Sequence, residues 1–432
     1  MLTRKVSFRL DKWKKNHEKL PLVLRGARQV GKTFSVREFA KTAYQSLIEL
    51  NFIERPSYKD IFSGDLDADT ILKQITLLVK GANLESGQTL LFLDEIQECA
   101  GARTALKFLA HDSRVDVIAS GSLLGMNQAQ VVSFPVGYVD HLEMHSLDLE
   151  EYCWACRIDP GLPEDLRSRF EGMREVPAAV HKRMLDLFRE YMVIGGMPAV
   201  VQAFVDHMDF AEALRLQRGI VTDYLDDIAK YAPGAEKNRA RACLLSVPKQ
   251  LSKDYKKFQY SLVEKGSTAR KYGGSLLWLF EAGIISYCHN LTLPQLPFEG
   301  YAEEDNFKVF MRDTGLLVSM LDDGAQADVM GGNMGIYKGA LYENIIADIL
   351  TKSEKKLYSF SYRQSLQMDF FIRFQDKATA IEVKSAENRK AKSLGVLMSD
   401  KWQVEQGIKL SANNVGLNNR VWNLPLYMAM FL

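Results

Sequence analysis

Residues 26 to 33 read GARQVGKT, and no other stretch of the 432-residue chain restricts its fold so tightly. The spacing is G-x-x-x-x-G-K-[ST], with an apolar run at Leu22–Leu24 before it and a stretch of helical character at Phe34–Thr42 after it. Strand, loop and helix in that order are the context the pattern needs. Its glycines allow backbone N–H groups to converge on phosphate oxygens, and the helix N-terminus adds positive potential. Gly26, Ala27, Arg28, Gln29, Val30, Gly31, Lys32, Thr33 and Phe34 are therefore the candidate cradle for ATP. Lys32 is expected on the β and γ phosphates and Thr33 on Mg2+. A chance glycine-rich turn is the bland alternative, and the strand–loop–helix context argues against it.

Further apolar runs fit the same α/β plan. SLIELNF, TLLFLDE and VDVIASGS alternate with helical stretches, as in a buried parallel sheet. LLFLDEIQE delivers Asp94 and Glu95 to the C-terminal end of a strand, where open α/β sheets bind ligands. Asp94 is expected to hold magnesium, and Glu95 to activate the attacking water, with Lys32 and Glu95 as the catalytic pair. An ordinary acidic strand end is the alternative for Asp94 and Glu95 taken alone. VDVIASGS ends at Ser120, Gly121 and Ser122, where a hydroxyl, Ser120 first, can sense the γ-phosphate or simply form a serine turn. No arginine finger can be named; Arg103 and Arg114 lie in the right half of the domain.

Composition adds bounds. The length implies about two to four domains. Net charge is +1, so nucleic acid can be met only by a local patch. Five cysteines suggest no disulfide framework, and no apolar run is long enough for a membrane span. A reducing, cytoplasmic setting is the expectation.

The chain resembles a bacterial family of AAA ATPases that carry a C-terminal domain of uncharacterised function. The segments that carry the likeness are LRGARQVGKT, LLFLDEIQ, ASGSLLG, SFPVG (Ser133–Gly137), IGGMPAVV (Ile194–Val201), FKVFMRDTGLL (Phe307–Leu317), GALYEN (Gly339–Asn344) and PLYM (Pro425–Met428). The resemblance implies an ATPase core, a helical lid, a winged-helix-like segment and a restriction-endonuclease-like end. One departure is Tyr138, which stands after SFPVG where the family has a basic residue. That puts in doubt a nucleotide-sensing or subunit-bridging role at this position.

Near the C-terminus, Asp369 lies in QMDFFIRF, and Glu382 and Lys384 lie in IEVKS. Residues two apart in a strand share a face, and a turn near Gln375–Lys377 can pair the two strands. Carboxylates and a lysine at one end of a sheet are what a metal-dependent nuclease uses. The resemblance adds Glu343. A solvated hairpin of alternating charge is the competing reading, and such folds also survive as binding modules.

From Lys237 to Lys271 there are ten Lys or Arg against Asp254 and Glu264, interleaved with Tyr255, Phe258, Tyr260 and Tyr272. This suggests contact with the DNA backbone through a winged helix, or else a solvated basic face. Cys153 and Cys156 form a lone CxxC at helical spacing and read as core. The expectation is an ATPase domain over 1–145, a helical lid over 146–235, a winged-helix-like segment over 236–300 and a nuclease-like domain over 301–432. It would hydrolyse ATP with Mg2+ and act as a nucleotide-driven switch on DNA, possible homo-oligomerisation included. The rival is an ATP-binding regulatory scaffold with an inactive nuclease-like domain that recognises a protein partner.

Overall fold

The computed structural model describes the chain apart from residues 1, 123–133, 235, 254–256, 363–365, 385–391, 400, 401, 403 and 419, with backbone alone at 336 and 392. Ser133, Asp254 and Tyr255 therefore lie outside the described residues, as does part of ASGSLLG. The rest divides into two compact units: residues 3–146 with 281–283, and residues 147–280 with 284–432. The segments expected as 146–235, 236–300 and 301–432 fall within the second apart from Ser146 and residues 281–283. Among the described residues no helix is long and apolar enough to cross a membrane.

The first unit is built on five parallel strands: β1 (Leu22–Gly26), β2 (Ser46–Asn51), β3 (Thr89–Asp94), β4 (Asp116–Ser122) and β5 (Asp140–Glu143). Their spatial order is β2-β3-β4-β1-β5. Four α-helices among the described residues belong to this unit: α1 (Lys5–Lys15), α2 (Lys32–Ala43), α3 (Ala68–Leu78) and α4 (Ala100–Leu109). Both faces of the sheet are covered, which is why the strands read as unbroken apolar runs rather than alternating ones. Leu22, Leu24, Leu90, Phe92 and Ile118 pack with Val36 and Phe39 of α2 and with Leu10 and Trp13 of α1. Val23, Leu91, Leu93, Val117 and Ala119 pack on the other side with Ile71 and Ile75 of α3 and Leu106 and Leu109 of α4. Each such side chain contributes roughly 1.5–3 kcal/mol by leaving water.

The second unit joins a set of helices to an eight-stranded mixed sheet. Its strands are β6 (Ile285–Leu291), β7 (Ala302–Met311), β8 (Leu357–Tyr362), β9 (Leu366–Phe374), β10 (Lys377–Val383), β11 (Gln406–Ser411), β12 (Gly416–Asn418) and β13 (Val421–Pro425), in the order β12-β13-β11-β10-β9-β8-β6-β7. The sheet thus begins at Ile285, ahead of the 301 boundary, because β6 pairs in parallel with β8 as well as antiparallel with β7. The turn expected near Gln375–Lys377 is a two-residue connection. Phe374 faces Lys377, and Gln375 and Asp376 both have positive φ, as a tight hairpin of right-handed twist requires. The LPLYMAMFL stretch ends in a buried 3-10 turn, Leu426–Phe431.

The GGMP, DTGLL and GALYEN segments meet in one buried polar node inside this unit. Lys352 lies 2.9 Å from Asp348 and donates to Leu147 O and to the Tyr191 hydroxyl. Asp313 accepts from Gly196 N and Leu316 N, and Asn344 donates to Thr314 Oγ1. A Cβ at Gly196 would stand 2.0 Å from Leu147 O, and one at Gly315 2.5 Å from Ile194 O. Only glycine permits these backbones to touch. Burial pushes the Asp348 carboxyl up to about 7, against the neighbouring Lys352.

Candidate nucleotide site and C-terminal pocket

The loop between β1 and α2 is shaped by two left-handed residues, Gln29 (φ 64°) and Gly31 (φ 94°), and Gly31 is the residue from which α2 starts. A Cβ on Gly26 would lie 2.3 Å from Met144 O, so the loop's first glycine is fixed by a close strand approach. Lys32 folds back across this loop. Its Nζ donates to Gly26 O at 3.0 Å and to Ala27 O at 2.8 Å. Burial pulls its pKa down to about 8, although Glu95 and Asp94 act in the opposite sense. Val30 is buried, whereas the Phe34 ring is 54% exposed on the first turn of α2.

Because β4 lies between β1 and β3, Asp94 can receive donors from several strands. Thr33 Oγ1 reaches it at 3.1 Å, Asn51 Nδ2 at 3.0 Å, and Ser120 Oγ also donates to it. Asp94 is buried, and burial holds its carboxyl above the ordinary range, opposed by the hydrogen bonds from Ser120 and Thr33. Ser120 thus acts on Asp94 in this arrangement rather than as a free hydroxyl. Glu95 adopts a left-handed conformation (φ 55°) that turns it out of the strand, and Gln97 Nε2 donates to its carboxylate. A non-glycine residue held there is uncommon and marks a constrained position. The sequence brings Lys32, Thr33, Asp94, Glu95 and Ser120 to one end of the sheet, as read from the motifs.

Two participants were not read from the sequence. Asn51 ends β2, and its Oδ1 also accepts from Ile53 N and Glu54 N. Arg4 is buried and donates to Val30 O at 3.1 Å and to His145 O at 2.7 Å, clamping the loop from the N-terminal segment. Arg103 is buried and donates to Ile96 O and Gln97 O, and Arg114 pairs with Asp112 and Asp69. Both are committed within their own unit. Tyr138 packs edge-on to His111 with Lys107 over its ring.

In the second unit, Glu343 and Asp369 line one pocket together with Lys308, Asn290 and Asn306. Asp369 accepts from Val383 N at 2.8 Å, and Lys308 Nζ stands 3.4 Å from Glu343. Glu382 and Lys384 form an ion pair at 2.6 Å. The other Glu382 oxygen, Oε2, is buried without a partner among the described residues. The strand pairing Ile381↔Phe370 places Glu382 next to Asp369 across the hairpin. Lys308 was not read from the sequence. It enters through β7, where it sits opposite Cys288 of β6.

Among the described residues the basic segment forms three helices, Glu236–Leu251, Tyr260–Val263 and Ala269–Glu281, followed by the β6–β7 pair. Arg241, Lys249, Lys253, Lys265 and Arg270 are exposed. Phe258 and Tyr272, interleaved with these cations in the sequence, are buried. Cys153 is buried and its thiol is pushed up to about 12 by burial, as for a core residue.

A model described as an AAA domain matches residues 18–153. Two further models, each described as a domain of unknown function, match residues 185–327 (DUF8612) and 338–428 (DUF4143). No curated protein matches the chain. Among solved structures, the chain is similar to a Walker-type ATPase of Pyrococcus abyssi, at 13% identity over 74% of this chain and 96% of that one, with a TM-score of 0.41. It is also similar to the Aeropyrum pernix ORC1 protein in complex with DNA, at 14% identity over 77% and 92%, with a TM-score of 0.30.

Proposed function

Starting from an AAA-type, ATP-binding domain at residues 18–153, we propose that the chain hydrolyses ATP with magnesium and uses the cycle as a switch on DNA. The observation that carries this reading is the convergence of Thr33, Asn51 and Ser120 on Asp94 at the mouth of the 26–33 loop. A hydroxyl and a carboxylate 3.1 Å apart are hard oxygen donors of the kind magnesium takes, so Thr33 and Asp94 would hold it. When bound, magnesium neutralises phosphate charge. The backbone amides of residues 27–33 would receive the phosphate oxygens, and Lys32 would leave the Gly26 and Ala27 carbonyls for the β and γ phosphates. Glu95 would take a proton from the water that attacks the γ-phosphorus, with ADP as leaving group.

The DNA half of the proposal rests on the exposed cations at Arg241, Lys249, Lys253, Lys265 and Arg270, carried on helices and their connections ahead of an antiparallel strand pair. Because the Phe258 and Tyr272 rings are buried, contact would be with phosphates, salt-sensitive and weakly selective for sequence. We take the lid, winged-helix-like and nuclease-like segments as functional divisions inside the second unit. A second reading, in which the nuclease-like end is an inactive module that recognises a partner protein, is favoured by the ion pairs that engage Glu343 and Glu382.

The test is ATP turnover of the purified chain with and without duplex DNA, at low and raised salt. Stimulation that fades with salt and is lost in a Lys265→Glu, Arg270→Glu double variant supports the switch. Turnover indifferent to DNA, with no salt-sensitive DNA binding, supports the partner-binding module.

A further inference from the structure

The C-terminal pocket has the residue types of a metal site but not the arrangement. A hard divalent cation takes about six oxygen ligands, usually with two or more carboxylates free to turn toward it. Here the carboxylates already have cationic or N–H partners. Glu343 faces Lys308 Nζ at 3.4 Å, Asp369 accepts from Val383 N at 2.8 Å, and Glu382 holds Lys384 at 2.6 Å. The Oε2 atom of Glu382 is buried without a partner among the described residues, and one oxygen does not make a cation site. Among the described residues, no three His, Cys, Asp or Glu side chains stand close enough to hold a metal ion.

Lys308 supplies the cation that Glu343 faces. β7 carries it into a pocket lined by both Glu343 and Asp369, with the buried Cys288 facing it from β6. Burial works against its charge, yet Glu343, Asp369 and Cys288 together offset burial, and its pKa is raised. A half-buried ammonium beside carboxylates does what a cation would do: it neutralises them and fixes their direction.

We propose that Lys308 is a built-in substitute for a divalent cation, so that the Glu343–Asp369 pocket is a metal-excluding site in the native chain. The ammonium is tethered, so a free ion must displace it as well as shed its own water. The pocket is therefore closed to metal-assisted phosphodiester cleavage by one side chain rather than by loss of its carboxylates. This is independent of the ATP reading, and nucleotide is left out of the test so that the two can fail separately.

The experiment is Mn2+ titration of the full chain without nucleotide, followed by electron paramagnetic resonance, alongside thermal melts with and without Mn2+. Wild type is expected to show no Mn2+ site that depends on Glu343 and no thermal shift. Lys308→Gln is expected to gain one saturable Mn2+ site and to melt higher with Mn2+ than without. Adding Glu343→Gln to it should remove both gains, and Lys308→Arg should gain neither. A wild-type site abolished by Glu343→Gln would overturn the proposal. So would a Lys308→Gln chain that takes up no Mn2+, or one that fails to fold even with Mn2+ present, since the ion then does not replace the ammonium.

Discussion

Each unit sets a lysine beside carboxylates, and the two lysines are held in opposite ways. Lys32 rests on the neutral carbonyls of Gly26 and Ala27, with Glu95 and Asp94 near but not ion-paired to it at bonding distance. Lys308 rests on the carboxylate of Glu343, with Asp369 beside it. A carbonyl gives up an ammonium readily when a phosphate offers full negative charge, whereas a buried carboxylate does not. The difference separates a loop built to receive an anion from a pocket whose charge is settled internally. It also separates Asp94, whose partners are neutral donors, from Glu382, whose partner is Lys384.

The comparison can be sharpened most by Glu95→Gln. If Glu95 is the base, turnover falls roughly 10²- to 10⁴-fold while ATP affinity holds, since the amide cannot take the proton. Steady-state turnover set beside equilibrium ATP binding checks it, and Glu343→Gln in the other unit should leave both unchanged. Smaller is the effect of Asn51→Ala, which removes one of the donors on buried Asp94. A loss of about 1–3 kcal/mol in unfolding free energy is expected, read by denaturant titration, because an under-satisfied buried carboxylate keeps its desolvation cost.

The smallest effect is on pH. Lys32 has its pKa pulled to about 8 by burial, from an ordinary 10.5, and bound phosphates would restore it upward. Between these values the free chain carries fewer protons than the bound one, so binding takes up a proton. ATP affinity should then weaken as pH rises through 8, by at most about tenfold per pH unit. Affinities measured at pH 7, 8 and 9 test this; a flat profile would mean that Lys32 is fully charged in both states.

Most of the first site was legible because its chemistry is local in sequence. The loop from Gly26 to Thr33 and the Asp94–Glu95 strand end each declare themselves within a few residues, and the helix starting at Lys32 follows from Gly31. Asn51 and Arg4 were not legible, because their contacts depend on strand order and on a helix returning to the loop from far away in sequence. The hairpin holding Asp369 and Glu382 was readable from alternation and its short turn. Lys308 was not, since only the pairing of β7 with β6 aims it at Glu343. The direction of Phe258 and Tyr272 was not legible for a related reason: an aromatic among lysines reads the same whether the ring faces solvent or core, and here both rings are buried.

The most direct test of the account is calorimetric titration of the purified chain with ATP in the presence of magnesium, repeated on Lys32→Ala. The account predicts one ATP bound per chain by the native protein, and an affinity lowered on the order of 100-fold in the variant, the loss of about two charge-assisted hydrogen bonds. Absence of any nucleotide uptake by the native chain, or equal affinity in the two, would contradict it.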